Sequence, residues 1–236
     1  MSFISLLVCF ALQHVDNDIV YSTVGDKQLK LDAYRPPTPN GKVFIAIHGG
    51  GFTGGSKGAD TGGICRYLSG RGFTCFDINY RLLKDVGGTD KTVAISAAIT
   101  DATAAYNWVV ANASTYGGDP GKIAIGGSSA GAITALYTTY SRRIRVKAVV
   151  DLWGGMYGRE TDIKQGDAPL LIIHGENDKV VSMSLGRALQ NRALAVHVPV
   201  QFFSFPGGHG TSLDTVIKRD TVLEHIESFL HESMGK

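Results

Sequence analysis

The sequence predicts an α/β fold: a mostly parallel central sheet, opened by an antiparallel N-terminal strand pair and covered by helices on both faces. Three observations lead there. Strand-length apolar runs alternate with segments of helical period, the order that βαβ units produce. The middle runs "KVFIAI", "KIAIGG", "VKAVVDL" and "PLLIIHG" lack polar alternation, as strands covered on both faces do. The 236 residues, 44% hydrophobic, suit a single domain over 1–236, and no Pro- or Ser-rich linker or internal repeat divides them.

In chain order, "DIVYSTV" and "KLDAYRP" read as a strand pair around the turn "GDK". "KVFIAIHGGG" is a buried strand running into glycines, "GICRYLSGRG" a short helix closed by glycine, and "FTCFDINY" a further strand. From Thr92 to about Ala113, Ile95, Ile99, Ala102, Tyr106 and Val109 recur at steps of three and four, giving a helix with one apolar face. "KIAIGGSS" is a strand ending on a glycine turn and "AGAITALYTTY" a helix. "VKAVVDLWGG" and "PLLIIHGEND" are strands, "SLGRALQNRALA" a helix and "PVQFFSF" the last strand. The tail from Ser212 aligns Val216, Leu223, Ile226 and Leu230 and is expected to be a terminal helix.

Composition narrows the function. The formal charge is only +2, and "RRIR" at Arg142–Arg145 is the single basic cluster. It follows a helical stretch, where cations suit the C-terminal turn, so no nucleic-acid partner is expected. Cys9, Cys65 and Cys75 form neither a disulfide framework nor a metal-ligand spacing, so no metal and no cofactor is expected. Cys65 and Cys75 are expected to be buried free thiols, with pairing the alternative in an oxidising compartment. The run "FISLLVCFAL" has signal-like length but no basic n-region and no clear A-x-A site, and it is too short to span a bilayer. Residues 1–18 are therefore expected to dock as a structural segment, with a homodimer contact as one role for it. The balance tips to the cytoplasm over secretion.

The stretch "GGSSAG", Gly126–Gly131, contains G-x-S-x-G centred on Ser129. Strand, turn and helix signals surround it, as a nucleophile elbow requires. It is not G-x-G-x-x-G, and "GGFTGGSK" lacks the G-K-[ST] order of a P-loop. A serine hydroxyl needs a base, and the base an orienting carboxylate. Of seven histidines, His209 in "FPGGHGTS" lies on a loop after the last strand, where open α/β sheets place their sites. His48 and His174 close strands and fit as rings supporting neighbouring loops. Asp178, in "HGENDKVV", follows a strand, with Glu176 and Asp151 as nearby acids. Asp178 reads either as the carboxylate partner of His209 or as a cap on the helix beginning near Ser182. The glycines of "HGGGF", with the N–H of Ala130, are candidates for the donors that a developing oxyanion needs.

Together "HGGGFTGGSK", "NYRL", "GGDPGKIAIGGSSAG", "HGENDKVV" and "GGHG" resemble the α/β-hydrolase esterases. The nearest groups are the hormone-sensitive-lipase-like and bacterial acetyl-xylan and feruloyl esterase-like carboxylesterases. The resemblance runs from about Tyr21 to the C-terminus. It implies an α/β-hydrolase fold, with Ser129, Asp178 and His209 as catalytic residues and the backbones of Gly50, Gly51 and Ala130 as the oxyanion hole. The chain departs from the lipase group's G-D-S-A-G-G at Ser128 and Ala132, and Gly155–Ala168 leaves no room for a cap domain. The expected activity is that of a serine carboxylesterase on short acyl esters, with a small-molecule ester as its partner. The alternatives are an acetyl-xylan or feruloyl esterase, an arylformamidase or amidase, and a non-catalytic binding module. Phe52, Trp153, Met156 and Tyr157 follow strand ends and are expected to line the pocket, although Trp153 and Met156 also suit the core.

Overall fold

Every strand-like run of the parallel half pairs as its apolar composition demands. The computed structural model describes residues 14–235. Strands β1 (His14–Val24), β2 (Lys27–Arg35), β3 (Gly41–Ile47), β4 (Thr74–Ile78), β5 (Gly118–Ser128), β6 (Ala148–Leu152), β7 (Leu170–Gly175) and β8 (Val200–Phe205) form one sheet. Its order is β1-β2-β4-β3-β5-β6-β7-β8. The β1–β2 and β2–β4 pairs are antiparallel and all others parallel. Of the N-terminal segment 1–18, residues 1–13 lie outside the described residues, and His14 to Asp18 open β1.

Helices α1 (Asp60–Ser69) and α5 (Val222–Met234) cover one face of the sheet. They bury Ile64, Leu68, Ile226 and Leu230 against Phe44, Val150 and Leu171. Helices α2 (Lys91–Asn112), α3 (Ala130–Leu136) and α4 (Met183–Ala195) cover the other. The inner seam of α2 is mostly alanine, with Ala94, Ala98, Ala102, Ala105 and Val109 fully buried, whereas Ile95 and Tyr106 are only partly covered. Small side chains let this helix lie close to the sheet.

The tail departs from expectation. Residues 216–221 are not helical: Val216–Ile217 (β9) pairs antiparallel with Asp220–Thr221 (β10), and α5 starts only at Val222. Lys218 takes a left-handed φ of 62°, which turns the chain. Thr221 then caps α5 by accepting from Glu224 N at 3.2 Å, and Glu224 Oε2 accepts from Thr221 N at 2.7 Å. Val216 is therefore exposed rather than part of the buried face.

The strand order reverses between β3 and β5. The chain leaves β3 toward β4 on one side and returns through β5 on the other. A crevice at the carboxyl ends of strands at such a reversal is where open α/β sheets bind ligands. The loops after β3, β5, β7 and β8 all meet there.

Candidate active site

Ser129 sits between β5 and α3 with φ 50° and ψ −117°, a conformation costly for a residue with a Cβ. The glycines around it have a steric reason. A Cβ at Gly127 or Gly131 would overlap the Ile47 carbonyl oxygen, so only glycine lets the elbow pack on the end of β3. The Ser129 N–H donates to Leu152 O at 2.9 Å, which fixes the turn against β6.

The three residues named from the sequence come together. His209 Nε2 lies 2.8 Å from Ser129 Oγ, and His209 Nδ1 lies 2.7 Å from Asp178 Oδ2. Asp178 does not cap α4, because Ser182 does so by accepting from Ser184 N. Instead Asp178 Oδ1 accepts from Val180 N at 2.8 Å and Val181 N at 2.9 Å. Burial alone would raise its pKa, but the contact with His209 and those two amides hold it below the ordinary carboxylate value. His174 adds a third neighbour: its Nε2 lies 2.8 Å from Val181 O and 3.4 Å from Asp178 Oδ2. Burial lowers the His174 pKa, so the ring is neutral and donates through Nε2.

The glycine loop after β3 faces the elbow. Gly50 has φ 113° and Gly51 φ 61°, and a Cβ on Gly50 would overlap the Gly54 carbonyl. No acceptor among the described residues takes the N–H of Gly50 or Gly51. The N–H of Ala130 opens α3, where first-turn amides have no intrahelical acceptor. The "NYRL" residues secure this loop. Tyr80 stacks on His48 at 4.3 Å and donates to His48 O at 3.0 Å. Asn79 Oδ1 accepts from Lys57 N at 2.8 Å, and Arg81 forks onto Asp101 on α2. Asp60 was not anticipated from the sequence. Its Oδ2 accepts from Gly49 N at 3.1 Å and from Ser128 Oγ, so one carboxylate ties the residue before the glycine pair to the residue before Ser129. The signal was the serine at position 128, which needs a partner of its own.

Two cavities open at the elbow, one lined by Ser129 and the other by Ser128. One, of about 330 Å³, has Gly51, Phe52, Ile95, Ile133, Tyr157 and Val181 among its walls, beside Ser129 and Ala130. The other, of about 290 Å³, lies between α1 and the segment after His209, with Asp60, Ser128, Trp153, Thr211 and Leu213 in its walls. Phe52 and Tyr157 thus line the first cavity and Trp153 the second. Met156 lines neither. It is fully buried in the core, and its carbonyl accepts from Tyr137 Oη at 2.5 Å. The hydrophobicity that suggested a pocket wall put it inside instead. Cys65 and Cys75 are buried free thiols, and Cys9 lies outside the described residues.

The other two acids have different surroundings. Glu176 Oε1 accepts from Ser204 Oγ at 2.9 Å. Asp151, at the end of β6, is fully buried; its Oδ1 accepts from Gly154 N at 2.7 Å, and its Oδ2 has no partner among the described residues. Burial pushes its carboxyl up to about 7. The native state therefore keeps a proton that the unfolded chain releases above roughly pH 4. The stability it contributes is lost as pH rises from there through about 7. Asp151→Asn is expected to gain stability relative to the parent on going from pH 5 to pH 8, by on the order of a few kcal/mol. Denaturant melts at both pH values check this; an unchanged difference would mean Asp151 is ionised at both.

The chain is similar in sequence and fold to known proteins. The family model BD-FAE matches residues 31–156, more than half of the chain. The chain is 34% identical over 136 residues to juvenile hormone esterase of Heliothis virescens, covering 56% of this chain and 24% of that one. Probable carboxylic ester hydrolase LipM of Mycobacterium tuberculosis is 35% identical over 120 residues, 49% of this chain and 26% of its own. The chain thus spans about a quarter of the length of these two curated relatives. Among solved structures, Thermogutta terrifontis esterase 2 superposes with a TM-score of 0.75 at 23% identity, covering 93% of this chain and 94% of that one, which establishes the α/β-hydrolase fold. No described helix is long and apolar enough to cross a membrane.

Proposed function

From the premise that the chain belongs to the BD-FAE family, we propose that it is a serine carboxylesterase acting on short acyl esters. The observation that carries this reading is the hydrogen-bonded line Ser129–His209–Asp178 at the strand-order reversal. In the proposed reaction Ser129 Oγ attacks the acyl carbon while its proton passes to His209 Nε2. Asp178 Oδ2 holds the Nδ1–H and stabilises the imidazolium. The N–H groups of Gly50, Gly51 and Ala130 receive the oxyanion, which collapses as the C–O bond breaks and His209 protonates the departing alcohol. Water then enters, gives its proton to His209 and releases the acid, restoring Ser129. The esterase names of the matched relatives support the same chemistry.

The short-chain preference rests on the setting of the cavity beside Ser129: its rim residues Tyr157 and Val180 face solvent, so protein covers only part of an acyl chain that leaves Ser129. Each further CH₂ contributes about 0.8 kcal/mol only where protein covers it. Specificity is therefore expected to peak between acetyl and butyryl and to fall for longer chains. Measuring kcat/KM for p-nitrophenyl esters from C2 to C16 checks this. A maximum at C12 or beyond would exclude the open, short-chain site, and absence of hydrolysis across the series would exclude the esterase reading itself.

A further inference from the structure

We propose that the cavity beside Ser129 contains an anion subsite in which Lys91 receives the free carboxylate of a dicarboxylic half-ester acyl group. The inference rests on the esterase reading and names a substrate class for that site. Among the described residues, Lys91 is the only charged side chain in the walls of this cavity; Phe52, Ile95, Ile133 and Val181 are among the rest. It stands at the exposed start of α2, and Ile95, one turn further along, is partly buried, so this helix runs from a cationic rim to an apolar wall.

Lys91 is also uncommitted. Lys27 and Lys57 are held by carboxylates at 2.8 Å and 2.6 Å, whereas Lys91 has no hydrogen bond or ion pair with any described residue. Its position is not explained by helix stability. A cation as the first residue of a helix opposes the helix dipole, and the acid that favours it at this end of α2 is the N-cap, Asp90. The neighbouring Asp90 is engaged as the cap, accepting from Thr92 N and Thr92 Oγ1. The other polar side chains in the walls are uncharged: Tyr137 donates to Met156 O, and burial raises the phenol pKa of Tyr157, whose neutral hydroxyl is free to add a hydrogen bond to an anion that Lys91 holds. An acyl group that fits this cavity is apolar along its length and negative at its end. A flexible ammonium stem reaches over apolar surface to meet such an end while staying hydrated.

The test compares monobenzyl succinate and monobenzyl glutarate with benzyl butyrate and benzyl pentanoate, following benzyl alcohol release. The ratio of kcat/KM, half-ester over neutral ester of equal acyl length, is expected to fall about three- to fivefold in Lys91→Met, the range of an exposed ion pair. It should fall further in Lys91→Glu, and the parent ratio should decline with added salt. An unchanged ratio in both variants would overturn the proposal. Calorimetric binding of monobenzyl glutarate to Ser129→Ala protein, with and without Lys91→Met, needs no turnover. A similar loss of affinity with Lys91→Met supports the subsite even if hydrolysis fails, and equal affinity rejects it. Failure of the esterase reading would appear separately, as neutral esters left intact by the parent.

Discussion

Ser129→Ala is expected to lower kcat/KM for p-nitrophenyl acetate by about 10⁴-fold or more while leaving the fold intact. The size follows from the step removed, since among the described residues no other hydroxyl shares the position 2.8 Å from His209 Nε2. The fold should survive because the strain at this turn belongs to the backbone. With φ 50°, alanine and serine present the same Cβ, and the N–H bond to Leu152 O does not involve the side chain. Residual catalysis above water would come from the oxyanion donors and binding alone. Labelling by a fluorophosphonate probe should disappear in the variant, with its melting temperature close to the parent's. Near-normal turnover by the purified variant would remove Ser129 from the mechanism.

Much of this site was legible because its parts are local. A strand, a glycine-flanked serine and a helix fall within "KIAIGGSSAG", and the loops carrying Asp178 and His209 each follow an apolar run. Chain order then predicted a meeting that the sheet delivers. What the sequence concealed was long-range. The position of β4 outside β3 depends on pairing between distant strands, so the reversal that creates the crevice had no local signal. Asp60 looked like the acidic start of a helix, and only the fold brings its carboxylate to Ser128 and Gly49, 68 residues and 11 residues away. Met156 illustrates the limit of hydrophobicity as a guide, which marks burial without separating pocket from core. The tail departs from the helical period for a local reason. Val216 matched the helical period by spacing, while the capping pair Thr221 and Glu224 marked the true start of α5.

Asp178→Asn should be nearly as damaging as loss of the serine, at about 10⁴-fold in kcat. The argument rests on which oxygen is already committed. Oδ1 accepts from Val180 N and Val181 N, so an asparagine must place its carbonyl there to keep both bonds. Its NH₂ group then occupies the place of Oδ2, 2.7 Å from His209 Nδ1. Facing a donor, Nδ1 must become the acceptor, and the ring proton moves to Nε2. The nitrogen beside Ser129 Oγ is then protonated in the neutral ring and cannot take the serine's proton. His174 Nε2, 3.4 Å from the same Oδ2, would face that NH₂ as a second donor and reinforce the misfit. Glu176→Gln and Asp151→Asn have no such route to the ring. Glu176 meets Ser204, and Asp151 meets Gly154. Each is expected to retain kcat within about tenfold, a loss far smaller than that seen when a triad carboxylate is neutralised. Steady-state kinetics on the three variants, with the proton resonance of His209 followed in the first, decide the matter. A larger loss in Asp151→Asn than in Asp178→Asn would move the orienting acid to the end of β6.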